Sequence, residues 1–272
     1  MYLSVSSYLW LQEPFLQHIH TVSRAGFDSL EIFASRRHLD LRNPDVVQEA
    51  GLALRRNRIR RVTLHAPKIG IDLSSPNLMQ RKESLEFSFR VLDAATLLGV
   101  SLVTFHPSGV ECSPKETPMR WPALMSSLRD LSRYASDRDL SIALENHPRP
   151  LFCDDPVELV ARIEALCAEN VGISLDLGHA YVNGQLPSCI RYLGSSLKAV
   201  QASDNTGHSD SHLFPGTGDL PWEQVFAALI EEGFNGPIVI EIKDERPLGV
   251  VLEDLNRFAD EMGLVGVKQM SS

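Results

Sequence analysis

Short apolar runs rich in β-branched residues alternate along this chain with longer segments whose apolar residues recur every three or four positions. The short runs predict strands at Leu3–Val5, Ser29–Phe33, Arg61–His65, Ser101–His106, Ser141–Glu145, Gly172–Asp176, Lys198–Ala202 and Pro237–Ile242. The longer segments predict amphipathic helices. Asn77–Leu98, for example, carries Leu78, Leu85, Phe89, Leu92, Ala95 and Leu98 at helical steps. A capping residue followed by proline marks helix starts at Asn43-Pro44, Ser75-Pro76, Thr117-Pro118 and Asp155-Pro156. Helix ends are marked by glycine followed by an apolar residue in Ala25-Gly26-Phe27, Leu98-Gly99-Val100 and Glu232-Gly233-Phe234. Eight strand–helix repeats without a linker or composition shift predict one α/β domain over residues 1–272, a (β/α)8 TIM barrel. A doubly wound open sheet is the alternative, weakened because no GxGxxG turn follows an early strand.

Composition is that of a globular protein and narrows its partners. The 272 residues are 43% hydrophobic and 22% charged, with a formal net charge of −9. That balance argues against whole-surface attraction to nucleic acid or to an anionic membrane. The basic cluster Arg55–Arg61 precedes the third strand, on the barrel face away from the strand C-termini. No apolar run reaches the roughly 18 residues needed to span a bilayer. The first residues lack the basic and small-residue signals of a secretory leader. Four cysteines without a CxxC pair predict neither a disulfide framework nor a thiolate zinc site, and a cytoplasmic location. A homo-oligomer is compatible with all of this.

In a barrel, chemistry collects at the C-terminal ends of the strands. Here those ends carry His65, His106, Glu145, Asp176, Gln201 and Glu241, and the loop after the seventh strand adds Asp210 and His212. Carboxylates inside runs such as Ser-Ile-Ala-Leu-Glu145 must be paired, exposed at the rim or bound to a cation, because burying a lone carboxylate is costly. Several converging on one mouth repel one another, and a divalent metal relieves that repulsion. Mixed imidazole and carboxylate donors suit Zn, Mn, Co or Fe better than Ca.

The segments Leu-His65-Ala-Pro, Phe-His106-Pro, Leu-Glu145-Asn, Leu-Asp176-Leu-Gly-His179 and Ser-Asp204-Asn, followed by Asp210-Ser-His212-Leu-Phe-Pro-Gly-Thr-Gly, resemble the xylose isomerase-like TIM-barrel superfamily. This group includes sugar and sugar phosphate isomerases and epimerases and the endonuclease IV-type enzymes. The epimerase pattern implies one divalent ion (Mn, Co, Mg or Zn) on Glu145, Asp176, Gln201 and Glu241. The endonuclease pattern implies three zinc ions. It adds His65 and His106 with Glu145 bridging, and a further site at His179, Asp210 and His212. Gln201 departs from both patterns, which usually place His there. A neutral amide oxygen shifts preference from zinc toward Mn or Mg.

The resemblance implies an isomerase or epimerase acting on a small polyhydroxylated substrate, a sugar, sugar phosphate or polyol ketone, through a metal-stabilised enediolate. Glu145 and Glu241 would be the catalytic acid–base pair, with His65, His106, His179 and Lys243 binding substrate. A lyase or dehydratase on a keto-inositol-type substrate is the alternative, and an endonuclease IV-like phosphodiesterase ranks below it because of the acidic charge. Tyr8, Trp10, Phe33, Arg36, Arg37 and Trp121 are candidate pocket walls, and Glu31 a candidate supporting residue beneath the site.

Overall fold

The computed structural model describes residues 1–264. Eight parallel strands, β1 (Tyr2–Ser6), β2 (Ser29–Phe33), β3 (Arg61–His65), β4 (Leu102–Phe105), β5 (Ser141–Glu145), β6 (Val171–Asp176), β7 (Leu197–Ala202) and β8 (Pro237–Ile240), pair in chain order. The barrel closes where β8 pairs with β1, Ile240 opposite Val5. Around it run α1 (Ile19–Arg24), α2 (Pro44–Arg56), α3 (Leu78–Leu98), α4 (Thr117–Ser136), α5 (Pro156–Glu164), α6 (Leu177–Val182), α7 (Trp222–Glu231) and α8 (Leu248–Glu261). Among the described residues no helix is long and apolar enough to cross a membrane.

Side chains on a strand alternate between its two faces. One parity carries Leu30, Ile32, Leu64, Val103, Phe105 and Leu144, all fully buried in the main hydrophobic core. The other parity faces the lumen and is small or polar: Ser6, Glu31, Thr63, Ala143, Ser174 and Gln201, again buried. Hydrogen bonds confirm the inward direction. Glu31 on β2 accepts from Ser6 Oγ on β1 at 3.3 Å and from Gln201 Nε2 on β7 at 2.9 Å, across the barrel.

Several expected boundaries hold and others move by a residue or two. Asn43 and Asp155 cap α2 and α5 with proline just inside. The cap of α3 is Asn77 rather than Ser75. Asn77 Oδ1 accepts from the N–H groups of Met79 and Gln80, whereas Ser75 Oγ is engaged with the Asn77 N–H and Gln80 Oε1. Thr117 is the first residue of α4, not its cap, and the preceding Glu116 folds its carboxylate back onto Ser113. β4 and β8 stop one and two residues short of their predicted ends, so His106 and Glu241 stand just beyond the ladder. Gly99 closes α3 at φ 78°, and the Val100 N–H reaches back to Ala95 O at 3.0 Å.

The loop between β7 and α7, which carries Asp210 and His212, is built around a buried carboxylate. Asp204 accepts from the backbone N–H of Asn205, Gly216 and Leu220 and from Trp222 Nε1, at 2.8–3.1 Å. Its backbone also pairs with Leu213 in both directions. Gly218 lies so close that a Cβ there would come within 2.4 Å of Asp204 Oδ1. Asp204→Ala strands four donors at once and is expected to cost about 3 kcal/mol in urea-induced unfolding. An unchanged midpoint would show that the loop is held by other means.

Candidate active site at the C-terminal mouth of the barrel

The strand ends bring the candidate residues to one place. His65 Nε2 lies 2.9 Å from Glu145 Oε2, and His106 Nε2 lies 3.3 Å from His65 Nε2 and 3.6 Å from the same carboxylate oxygen. On the far side, His179 Nε2 and His212 Nε2 both meet Asp210 Oδ2, at 3.2 and 3.0 Å. Glu241 sits near His212, whose Nδ1 lies 4.0 Å from Glu241 Oε1.

The backbone fixes which nitrogen of each ring faces the mouth. Nδ1 of His65 meets Ala66 O at 2.9 Å, and Nδ1 of His179 meets Asn146 O at 2.8 Å. Nδ1 of His212 meets Glu241 O at 2.9 Å. A carbonyl only accepts, so each of these nitrogens carries a hydrogen and each ring turns Nε2 toward a carboxylate. His106 is set in the same way by another imidazole. His147 donates through Nδ1 to Phe152 O at 2.8 Å, which leaves its Nε2 to accept from His106 Nδ1 at 3.0 Å. His147 is fully buried and was not among the expected site residues, although it follows Glu145-Asn146 directly.

The neighbouring Asn146 extends the sheet past its end: its Oδ1 accepts from the Asp176 N–H at 2.8 Å and its Nδ2 donates to Asp176 O at 3.2 Å. Asp176 in turn caps α6 by accepting the His179 N–H at 2.7 Å. The Leu-Glu-Asn and Leu-Asp-Leu-Gly-His segments thus fix one another's backbone while presenting Glu145, Asp176 and His179.

Burial and mutual charge set the titration of the cation-free site. Burial works against the His65 and His179 imidazolium ions, but the facing carboxylates, Glu145 for His65 and Asp176 with Asp210 for His179, outweigh it and lift both to about 10. His212 rises to about 9 against burial, through Asp210 and Glu241. Glu145 is held below the usual carboxylate range because His106 and His65 overcome its burial. Burial, opposed by His65 and reinforced by Glu145, pushes Glu241 up to about 8. Asp176 rises to about 6, mainly by burial. Burial lowers His147 to about 4 and drives His106 well below its ordinary value.

The donor set suits a divalent cation. His65, His106 and Glu145 offer ligand atoms within 4.8 Å of one another, as do Glu145, Asp176 and His179. For His179 the first choice of nitrogen is constrained. Its Nδ1, 3.5 Å from Glu145 and 3.6 Å from Asp176, already donates to Asn146 O, so its Nε2, 3.2 Å from Asp210 Oδ2, serves the Asp210 and His212 side. Among the seven buried side-chain oxygens of the described residues that lack a hydrogen-bond partner, two belong to candidate ligands, Gln201 Oε1 and Asp210 Oδ1. With Gln201 Nε2 donating to Glu31, Oε1 is left as a bare acceptor, which is the atom a cation takes from an amide.

A cavity of about 640 Å³ opens over this cluster, bounded at its inner end by Tyr8, Phe33, His106, Glu145, His212 and Glu241. Phe33 stacks on His65 with ring centroids 4.4 Å apart, and Tyr8 packs against His212 at 5.3 Å. Of the expected walls, Arg36 joins Tyr8 and Phe33 in lining the cavity. Trp10 and Trp121 are instead buried in the core, Trp10 against His18 and His38 and Trp121 against Phe152. Arg37 and Lys243 do not line it; Lys243 is exposed and meets the site only through its backbone N–H, 2.9 Å from His212 O. Lys68 is the lysine at this mouth.

Residues 19–262 match the family model described as xylose isomerase-like TIM barrel. The chain belongs to this family. Among its relatives is an uncharacterised protein of Methanocaldococcus jannaschii, 28% identical over 90% of this chain and 85% of the relative. The D-psicose 3-epimerase of Ruminiclostridium cellulolyticum is 26% identical, covering 85% of this chain and 80% of its own. The crystal structure of a D-tagatose 3-epimerase-like protein superposes with a TM-score of 0.85 at 26% identity, over 97% of this chain and 98% of that one. Of these relatives of the xylose isomerase-like barrel, one is named a sugar 3-epimerase and another a sugar 3-epimerase-like protein.

Two measurements test the geometry. His147→Phe removes the acceptor that orients His106 and is expected to weaken Mn²⁺ or Zn²⁺ binding by about 10–100-fold, with partial recovery in His147→Gln. Equal affinity in all three proteins would show that His106 needs no such support. In chelator, the melting temperature is expected to fall as pH rises from 7 to 10. The stability contributed by His65, His179 and His212 is fully present below their unfolded value near 6.5 and is lost as pH climbs through about 9–10. Glu241 acts in the same direction, its contribution being lost through about 8. Added divalent cation should therefore stabilise more at pH 9 than at pH 6; a gain independent of pH would count against ligation by these groups.

Proposed function

We propose that this chain is a divalent-metal-dependent isomerase or epimerase of a keto sugar, sugar phosphate or polyol ketone. The observation that carries the reading is geometric: two buried glutamates, Glu145 from the end of β5 and Glu241 just past β8, line one cavity together with His106, His179, Asp210 and His212. In the cation-free site the two carboxyls also titrate apart, Glu145 low and Glu241 raised to about 8, the kind of difference that divides base and acid roles between like groups. The cation would be held by Glu145, Asp176, Gln201 and Glu241, with His65 and His106 beside Glu145 and a further group at His179, Asp210 and His212. When bound, it supplies Lewis acidity to a ketone and its neighbouring hydroxyl, which acidifies the intervening C–H.

The chain's own residues do the rest. Glu145, ionised and braced by His65, accepts the proton from the carbon beside the ketone. Glu241 returns a proton either to the opposite face of that carbon, which inverts it, or to the former carbonyl carbon while the hydroxyl proton passes to the former carbonyl oxygen, which moves the carbonyl. The neutral imidazole of His106 and the phenol of Tyr8 are available to substrate hydroxyls, and Phe33 and Tyr8 wall off the reacting carbon from solvent. The sugar epimerase activities of named relatives support this choice.

In deuterated water, Mn²⁺-loaded protein is expected to exchange the C–H beside the ketone of at least one member of a ketose and inosose panel. Glu145→Gln and Glu241→Gln should each slow that exchange by about 10²–10⁴-fold. Loss of a hydroxyl from the product by mass spectrometry would identify a dehydratase instead. Exchange untouched by both substitutions would overturn the assignment.

A further inference from the structure

The cavity continues outward, past the reacting carboxylates, into a wall of different chemistry. Its outer half is formed by Leu11, Leu39, Leu41, Pro67, Ile69 and Phe87, contributed by the loops after β1, β2 and β3 and by α3. Ile69 is 91% exposed, although it borders the cavity. The polar pair on this wall is self-satisfied, because Arg42 binds Asp40 through two hydrogen bonds of 2.6–2.7 Å. Arg36 and Lys68 stand as long cationic side chains beside the same wall.

A free keto sugar presents hydroxyls on nearly every carbon besides the ketone, and each needs a hydrogen-bond partner when it leaves water. The inner end of the cavity provides such partners in abundance, whereas the outer wall offers mainly carbon. The total of about 640 Å³ also lies in the range of pockets that take drug-sized ligands, roughly 300–1,000 Å³. Because both halves form one cavity, a single molecule whose ketone reaches Glu145 can extend into the outer half. The exposed Ile69 side chain at this rim would gain burial from an apolar group of that molecule laid against it.

We infer that the outer half is a subsite for an apolar substituent, so that the preferred substrate is a keto sugar carrying an alkyl or aryl group rather than a free monosaccharide. This rests on the keto-sugar reading for the inner end, while the subsite can be probed without catalysis. The substituent lies against Leu39, Leu41, Ile69 and Phe87, and the sugar ketone faces Glu145 and Glu241.

The test uses the Mn²⁺-loaded full chain and two unreactive ligands, a hexitol and the same hexitol bearing a benzyl group, with affinities compared by calorimetry. The benzyl compound is expected to bind at least about tenfold tighter, since even one methylene in a fitted apolar pocket is worth that much. Ile69→Ser, whose exposed side chain plays no part in the core, should shrink the ratio, and Ile69→Ser with Phe87→Ser should bring it close to one. Equal affinities in the unaltered protein overturn the subsite. So does a ratio indifferent to Ile69→Ser when the same substitution turns a dimer into a monomer by light scattering, which would make this face a contact between copies. A benzyl preference with no deuterium exchange in any ketose supports the subsite and removes the reaction assigned to it. Exchange with equal affinities does the reverse.

Discussion

The organising constraint is the burial of like charges. Glu145, Asp176 and Glu241, together with Glu31 beneath them, are withdrawn from water inside an apolar barrel, and Asp210 closes the group from the side. Carboxylates so placed cannot all stay ionised without compensation, because Coulomb repulsion and lost hydration act together. The protein answers with imidazoles. Each has one nitrogen tied to a carbonyl or, for His106, to another imidazole, and the other aimed at the acids. In cation-free protein the compensation is by protons, on His65, His179, His212 and Glu241. The same nitrogen and oxygen atoms are the ones a metal would claim, so protonation and metal loading compete for a single set of positions.

The scaffold around the mouth exists to hold that geometry. Two side chains outside the candidate ligand set, Asn146 and Asp204, do much of the positioning. Asn146 carries the β5–β6 pairing one step beyond the strands, which sets Asp176 and, through its carbonyl, His179. Asp204 gathers four donors from a long loop so that Asp210 and His212 arrive at a defined height above the barrel. Loops that bear reactive groups are usually the mobile part of a barrel; here the bearing loop is anchored through a charge of its own.

Much of this was legible in the residues because strand periodicity and the ends of strands are local properties. The eight runs, the Asn43 and Asp155 caps and the glycine stops all depend on near neighbours, and they stand where the pattern places them, within a residue or two. Asn77 displaced Ser75 as the α3 cap because the choice depends on where Ser75 finds another partner, Gln80, which periodicity cannot convey. The joint location of His65, His106, Glu145, Asp176, Gln201 and Glu241 followed from topology alone. Orientation did not. That His147 supports His106 depends on the path of the chain to Phe152, and that Trp10 and Trp121 turn inward depends on packing against His38 and Phe152. The apolar outer wall was equally hidden, since Leu39, Leu41, Ile69 and Phe87 come from three separate segments whose convergence only the closed barrel produces.

The hydrogen bond from Gln201 to Glu31 reaches from β7 to β2, opposite walls of the same lumen. It makes position 201 a shared property of two distant stretches of chain. An imidazole placed at 201 would keep the contact to Glu31 only if one ring N–H crossed the lumen while the other nitrogen faced the cation, so the exchange is not a one-residue edit. Any redesign that seeks a different cation preference here has to treat residues 31 and 201 as one unit, to be replaced together or left alone.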